Sequence, residues 1–229
     1  MTQVYSFDSS YAEEYIRKSR GMIPGYGTLF ELARTWLSRR LGEGPARVLL
    51  VGGGGGMEIE SFAPASPDWS FHVVDPAVRM AQAAGERAQA LEVADRVEVT
   101  VGTVDTLPAE ARYGAATCIL VGHFLSKDAQ GALLRDIAAR LVPGAPLVLV
   151  QLFRPEGDEV LDELLECWRQ RLLDLGEDPA EVQTRFAARE REITLLTEVE
   201  LAHLLAESGF SAPLRFHQAL LFGGWFMTR

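Results

Sequence analysis

The sequence has little of what marks a secreted, zinc-binding or membrane protein. It contains only two cysteines, Cys118 and Cys167, and neither belongs to a CxxC pair, so a disulfide framework or a zinc knuckle has no support. No apolar run reaches the length that spans a membrane, and the polar start of the chain lacks the apolar core of a signal peptide. We therefore expect a cytoplasmic protein that does not bind membranes.

Positive charge is also scarce. The chain has 22 Lys and Arg against 32 Asp and Glu, which gives a formal net charge of -10. Such a surface repels a phosphate backbone, so general nucleic-acid binding is not expected, although a local basic patch stays open. With 229 residues, 48% of them hydrophobic, the chain is long enough for one large α/β domain, and we take residues 1–229 as a single domain.

What the sequence does contain is a regular alternation of strand and helix patterns. Five buried strands are expected, and the tail adds two more strand candidates in a hairpin. The alternation predicts a Rossmann-like α/β fold with a mostly parallel seven-stranded sheet and helices on both faces. The five strands are expected at 46–51, 71–75, 97–102, 115–122 and 146–153, and the hairpin within 214–229.

Two helical segments lie outside this alternation. Residues 1–45 include apolar positions at helical spacing from Leu29 to Leu41, and we expect them to form a flap. Residues 155–193 are expected to form two helices inserted after the fifth strand. Ligands of such sheets bind at the carboxyl ends of the strands, so the inserted helices are expected near the mouth of a ligand cleft. The apolar residues of the insert would also allow a homodimer.

The first expected strand runs directly into five glycines, Gly52 to Gly56. A P-loop requires Gly-Lys-Ser/Thr at its end, but Met57 and Glu58 follow here. A dinucleotide site requires G-x-G-x-x-G, and no start within the run supplies the third glycine. The run does satisfy G-x-G-x-G, with Gly54 in the middle.

An acid, Asp75, closes the second expected strand. A carboxylate there can accept hydrogen bonds from both hydroxyls of a ribose. The nearby Glu58 and Glu60 disfavour a pyrophosphate but tolerate a cationic ligand. These features favour S-adenosylmethionine (SAM), which carries an ammonium, a carboxylate and a sulfonium but no phosphate. A nicotinamide dinucleotide, or a turn rich in glycine with a helix-capping Asp75 and no ligand, remains the alternative.

These segments resemble the class I SAM-dependent methyltransferases over most of the chain. "VLLVGGGGG" resembles motif I of that family, "VVDPAVRM" motif II, "VGTVDTLP" motif III and "YGAATCILVGHFL" motif IV. The resemblance implies SAM as the methyl donor and S-adenosylhomocysteine as the product. The cofactor-binding residues expected from these motifs are Gly52, Gly53, Gly54, Gly56, Asp75, Pro76, Met80, Thr103, Val104, Ile119 and Leu120.

The resemblance also implies roles by position. Met80 would flank the adenine, and Thr103 and Val104 would meet its edge. Ile119 and Leu120 would lie near the methyl group.

The sequence departs from the family pattern at three acidic positions. Leu50 stands two residues before the first glycine, Gly114 starts motif IV, and Thr103 replaces the acid that meets the adenine amino group. The methionine ammonium is therefore expected to use backbone carbonyls near Gly52 and Ile119. These departures keep open a protein that binds SAM or S-adenosylhomocysteine without transferring a methyl group.

Both ends of the chain resemble the carboxy-SAM synthase branch, which acts in wobble-uridine tRNA modification, and its small-molecule methyltransferase relatives. "IPGY" at 23–26 is the most specific shared piece, and the N-terminal segment covers the SAM pocket in that branch. Tyr26 and Arg20 are accordingly expected at the cofactor. The segment "CWRQRLLDLGEDPAEVQTRF" is more similar to the small-molecule relatives, which we favour over a carboxy-SAM synthase.

His123 is the best candidate for a general base. It follows the fourth expected strand, close to the expected methyl group, and free imidazole has a pKa of about 6.5. The alternative is a histidine that only shapes the pocket. Arg154, Trp168 and Tyr5 are the other candidates for contact with a small-molecule substrate. "LVGHFLSKD" offers too few oxygen ligands for a metal site, so no metal is expected.

Overall fold

Strands and helices alternate along residues 12–229, the part of the chain that the computed structural model describes; side chains are described from residue 17 onward, except at position 190. The strands are β1 (Ala46–Val51), β2 (Trp69–Asp75), β3 (Val97–Val101), β4 (Ala115–Ile119), β5 (Pro146–Arg154), β6 (Leu196–Thr197), β7 (Leu214–Ala219) and β8 (Phe222–Thr228). The helices are α1 (Ala12–Met22), α2 (Tyr26–Leu41), α3 (Met57–Phe62), α4 (Val78–Ala90), α5 (Lys127–Arg140), α6 (Asp158–Asp174), α7 (Pro179–Glu192) and α8 (Glu198–Glu207).

The strands form one sheet in the order β3-β2-β1-β4-β5-β8-β7. The first five of these strands are parallel, while β8 runs antiparallel to β5 and β7 antiparallel to β8. The predicted mostly parallel sheet with a C-terminal hairpin is confirmed, and the two-residue β6 adds a short pairing at the end of β5. The chain moves outward from β1 to β3 and then returns to β4, so the strand order reverses between β1 and β4, which is where such sheets bind ligands.

Helices cover both faces of this sheet, and their packing explains the sequence of the central strands. β1, β4 and β5 consist almost entirely of buried residues, as expected for parallel strands with both faces covered. Neighbouring residues of β1 point to opposite faces. Leu50 packs into one apolar core with Phe62 of α3, and Leu49 packs into the other with Ile137 of α5 and Leu205 of α8.

The fourth strand is shorter than predicted. It was expected over 115–122 but ends at Ile119, because Leu120 has a φ of 63° and turns the chain out of the strand. A short 3₁₀ turn, Gly122–Phe124, follows and carries His123. Left-handed backbone is uncommon for a residue with a side chain, and such residues cluster at functional sites.

The two inserted helices, α6 and α7, contact the N-terminal helices. The Trp168 indole N–H of α6 donates to the Met22 carbonyl at 3.0 Å, and the Arg171 guanidinium donates to the Gly21 carbonyl at 2.6 Å. The insert and the segment before the sheet are therefore held together on the same side of the molecule.

Candidate functional site

A cavity of about 240 Å³ lies beyond the carboxyl ends of β1, β2 and β4, and we call it the strand-end cavity. It sits where the strand order reverses, which is the expected ligand position in an open α/β sheet. Its lining is mostly apolar and contains no lysine or arginine among the described residues. The residues predicted to bind the cofactor that line it are Tyr26, Gly52, Gly54, Asp75, Pro76, Met80, Ile119 and Leu120.

The glycine run brings backbone directly against the acid that closes β2. Gly52 has a φ of 63°, and its N–H donates to the Val74 carbonyl at 2.8 Å, which joins the loop to β2. A Cβ at Gly54 would collide with the Asp75 carboxylate and with Cβ of Met80. Only glycine fits at this position, since the chain approaches β2 and α4 too closely for any side chain.

Asp75 is held in place by two backbone hydrogen bonds. The Gly54 N–H donates to Oδ2 at 3.0 Å, and the Ala77 N–H donates to Oδ1 at 2.9 Å. The carboxylate is only 7% exposed and lines the strand-end cavity. Each carboxylate oxygen can accept more than one hydrogen bond, so this geometry suits a ligand with a pair of hydroxyls.

A second acid in the same cavity, Glu58, had been noted in the sequence only as part of an acidic neighbourhood. It lies in the first turn of α3 and is 3% exposed. Its Oε1 accepts a long hydrogen bond of 3.5 Å from the Thr117 hydroxyl of β4. Burial raises the pKa of Glu58 to about 7, and the negative charge of Asp75 adds to the increase. The sequence feature that could have identified Glu58 is its position, an acid in the first turn of the helix that follows the glycine loop.

A smaller cavity of about 80 Å³ shares Leu120 and Phe124 with the first, and we call it the cap cavity. The insert supplies Trp168 and Phe186 to its wall, and β8 supplies Phe222. His123 also lines this cavity rather than the strand-end cavity. The structure thus brings His123 and Trp168 together, as expected of residues that contact one substrate.

His123 is a buried, neutral imidazole. It is 4% exposed, and its Nδ1 accepts from the Leu152 N–H at 3.4 Å, which leaves the ring proton on Nε2 in this tautomer. Burial lowers the pKa of His123 to about 3. In this environment the ring takes up a proton less readily than free imidazole does, so the geometry favours hydrogen bonding from Nε2 and positioning of a substrate over proton removal.

Thr103 and Val104, predicted at the adenine edge, line neither cavity. Val104 is 2% exposed and packs in the core under α5, while Thr103 is exposed. The buried Arg140 guanidinium donates to the carbonyls of Asp105 and Leu107, at 3.0 and 2.6 Å, and this ties the segment to the end of α5. Val104 is therefore packed against the α5 core, and Thr103 stays at the surface beside it.

Two predicted arginines also lie outside both linings. Arg20 pairs with Glu60 at 3.1 Å and contacts the Met57 sulfur at 4.0 Å, which places it beside the strand-end cavity rather than in its lining. Arg154 forms an exposed ion pair with Asp158. Exposed pairs of this kind contribute little to stability.

The remaining predicted site residues are two glycines of the loop, Gly53 and Gly56, and Tyr5. Gly53 and Gly56 line neither cavity but close the glycine loop, because the Gly56 N–H donates to the Gly53 carbonyl at 3.1 Å. Tyr5 lies outside the described residues. Among the side chains of residues 17–189 and 191–229, no group of three His, Cys, Asp or Glu could hold a metal ion. In the same part of the chain, no helix combines the length and the apolar character needed to cross a membrane.

Replacing Gly54 with alanine should destabilise the protein. The new methyl group must displace Asp75 or Met80, and such overpacking costs about 1–3 kcal/mol of unfolding free energy. Urea unfolding measures the change. Gly85→Ala is the matched control, because a Cβ at this position in α4 meets open space and should stabilise the helix by up to about 1 kcal/mol. Equal effects of the two changes would contradict the close approach at Gly54.

Replacing Glu58 with glutamine should alter the dependence of stability on pH. The folded pKa of about 7 exceeds the ordinary glutamate value of 4.5, so the folded protein binds more protons than the unfolded chain between these pH values. The wild type should therefore lose unfolding free energy, relative to Glu58→Gln, as the pH rises from about 4.5 to about 7. The relative loss is on the order of 3 kcal/mol. Denaturant titrations across this range measure it, and parallel pH profiles for the two proteins would contradict the buried position of the carboxyl.

Comparison with known proteins yields a family match for the centre of the chain. A family model described as a methyltransferase domain matches residues 49–147, which contain the glycine loop, Asp75 and β4. No curated protein matches the sequence.

Several solved structures share the fold. An O-methyltransferase from Nostoc punctiforme, described as putative in its name, has a TM-score of 0.68 and 15% identity over 96% of this chain and 59% of its own. The mitomycin 7-O-methyltransferase MmcR has a TM-score of 0.65 and 20% identity over 96% of this chain and 60% of its own. An O-methyltransferase of neocarzinostatin biosynthesis, in complex with SAM and 2-hydroxy-5-methyl naphthoic acid, has a TM-score of 0.58 and 22% identity over 80% of this chain and 48% of its own.

The chain thus spans between 48 and 60% of the length of these three proteins. The predicted resemblance is confirmed at two levels: a methyltransferase domain model matches residues 49–147, and the chain shares the fold of these O-methyltransferases.

Proposed function

We propose that the protein is a methyltransferase that transfers a methyl group from SAM to a small organic molecule. The observation that carries this proposal is the contact between Gly54 and Asp75 in a cavity whose charged side chains are both acidic. SAM has a ribose for the carboxylate of Asp75 and two cationic groups that an acidic cavity tolerates. A phosphate-bearing cofactor would instead meet two carboxyl groups and no basic side chain in the described lining.

The strand-end cavity offers a surface for each part of this cofactor. Asp75 would accept hydrogen bonds from the ribose hydroxyls, and Pro76 and Met80 would pack against the adenine. The bare backbone of Gly52 and the residue Ile119 would lie along the methionine part. Bound SAM supplies a methyl group already activated by a positively charged sulfur, so the main task of the chain is to bind and orient.

The cap cavity is where we place the methyl acceptor. It shares Leu120 and Phe124 with the strand-end cavity, so a molecule held there lies next to the cofactor site. Trp168 and Phe222 give it aromatic walls that suit an organic ring, and His123 gives it a polar group. Holding two reactants in line contributes roughly 7–11 kcal/mol to catalysis. A related case is the neocarzinostatin enzyme, whose structure contains SAM together with a naphthoic acid.

The contacts of the inserted helices support the predicted organisation of the chain, one domain with an N-terminal flap and a helical insert. We propose that residues 12–45, the described part of the predicted flap, and residues 155–193 cover the site of one cytoplasmic domain, because Trp168 joins α6 to Met22 while also lining the cap cavity. Closure of such a cover excludes water from the reacting atoms. Arg154 has no place in this acceptor site, since it lies in neither lining.

The carboxy-SAM synthase alternative receives less support. An additional carboxylate on the cofactor requires a basic group close to the sulfur, and the described lining of the strand-end cavity has none. The adjoining cap cavity does contain Arg185 and Arg189, and Arg185 already pairs with Glu177 at 2.7 Å. A protein that binds the cofactor without catalysis has the same cavity, so turnover separates it from the proposed enzyme.

The proposed function predicts that SAM or S-adenosylhomocysteine copurifies with the protein. Mass spectrometry of the denatured protein identifies the ligand, and calorimetry then measures the affinity for S-adenosylhomocysteine. Asp75→Asn should lower this affinity at least about 10-fold, because hydrogen bonds to a charged group contribute about 1.5–3 kcal/mol. Carboxy-SAM as the ligand would support the synthase, and a nucleotide with a phosphate would contradict the proposal.

His123→Asn tests the role of the histidine. Asparagine can keep an acceptor for the Leu152 N–H but has no atom at the position of Nε2. With an acceptor identified by screening phenols and amines with methyl-labelled SAM, we expect the rate of transfer to fall about 10-fold, because one positioning hydrogen bond is lost. The affinity for S-adenosylhomocysteine should stay unchanged. An unchanged rate would remove His123 from the reaction.

A further inference from the structure

The strand-end cavity contains a buried acid for which the described residues provide no cation. Glu58 lies in the lining and is 3% exposed, yet no lysine, arginine or histidine among residues 17–189 and 191–229 forms an ion pair with it. Its carboxyl accepts a long hydrogen bond from Thr117, at 3.5 Å, and one from its own backbone. A buried carboxyl with this little support is costly unless a ligand supplies hydrogen bonds and positive charge.

The position of Glu58 separates its role from that of Asp75. Asp75 ends β2, whereas Glu58 contacts Thr117 of β4, and β1 runs between these two strands. The two acids therefore belong to different parts of the cavity, one beside β2 and one beside β4. One elongated ligand can therefore meet both acids, with its sugar at β2 and its other end at β4.

The neighbouring side chain on β1, Leu50, carries no negative charge that could pair with a cationic ligand at this end of the cavity. Leu50 pairs with Thr117 in the parallel register of β1 and β4, so both side chains point to the same face of the sheet. Leu50 is fully buried and apolar. Glu58 reaches this same place from α3, and it brings the only carboxyl of the described lining other than Asp75.

We infer that Glu58 binds the ammonium group of the methionine part of SAM, an inference that rests on the proposed function. The ammonium carries three N–H donors, which match the acceptor sites left open on a carboxylate that has only a long hydrogen bond from Thr117 and one from its own backbone. The sulfonium has no hydrogen to donate and cannot satisfy these sites. Backbone carbonyls near Gly52 and Ile119, which the sequence suggested for the ammonium, supply acceptors but no negative charge.

Proton release on binding follows from this pairing. Without ligand, burial keeps the Glu58 carboxyl partly protonated near neutral pH, since its pKa is about 7. Two titratable groups face it. The Asp75 carboxylate raises this pKa further, and the Cys118 thiol stays neutral because its own pKa is about 12. An ammonium beside the carboxyl favours its ionised form, so the carboxyl proton leaves to solvent as the ion pair forms.

Three nucleosides, which lack first the carboxylate and then also the ammonium, test the inference by calorimetry. S-adenosylhomocysteine has the ammonium and the carboxylate, S-adenosyl-3-thiopropylamine has only the ammonium, and 5′-methylthioadenosine has neither. We expect Glu58→Gln to weaken the first two about 10- to 100-fold and to leave the third unchanged. Asp75→Asn should weaken all three. Glu86→Gln, which removes an exposed acid from α4, should change none.

A second readout is the proton itself. For the wild type near pH 7, binding of S-adenosylhomocysteine should release a proton, seen as a dependence of the binding enthalpy on the ionisation enthalpy of the buffer. We expect no such release for Glu58→Gln or for 5′-methylthioadenosine.

Each result that would contradict the Glu58 assignment points to a different explanation. Equal weakening of 5′-methylthioadenosine would make Glu58 a structural residue, and weakening of SAM without weakening of S-adenosylhomocysteine would make it a partner of the sulfonium. Unchanged affinities would remove it from the site. Failure of the wild-type protein to bind any of the three nucleosides would instead overturn the proposed function, and this inference with it.

Discussion

The hydrogen bond from the Gly54 N–H to the Asp75 carboxylate is the contact on which the site depends. It joins the loop after β1 to the end of β2, and it forms only because no side chain stands at residue 54. The same carboxylate accepts from Ala77 at the start of α4, so one acid fixes the loop, the strand end and the next helix. Glycines that cost entropy on folding are retained here because they create a surface of bare backbone beside a charged group.

Charge gives this surface its selectivity. Asp75 and Glu58 are the acids of the strand-end cavity, and neither meets a basic side chain in the described lining. A ligand that carries positive charge relieves the cost of burying these groups, whereas a phosphate would add to it. The cap cavity, reached through Leu120 and Phe124, is different in character, with aromatic walls, a neutral histidine and the two arginines Arg185 and Arg189. In the proposed enzyme, the cofactor and its acceptor thus occupy two adjoining environments of opposite charge.

The parts of the site that could be predicted are those where local sequence determines geometry. A buried strand that enters a glycine run requires a close backbone approach, and an acid at the end of the next parallel strand must lie at the same edge of the sheet. Thr103 and Val104 could not be placed this way, because Arg140, distant in sequence, holds their segment against α5. Glu58 and the cap cavity depend on how α3 and the insert pack, which periodicity does not reveal.

The central claim is that a positively charged nucleoside lies along the glycine loop with its ribose on Asp75. A crystal structure of the protein with S-adenosylhomocysteine tests it most directly. The account predicts the ribose hydroxyls within hydrogen-bonding distance of the Asp75 carboxylate and the amino group within that distance of Glu58. A nucleoside bound elsewhere, or a phosphate-bearing ligand in the strand-end cavity, would contradict it.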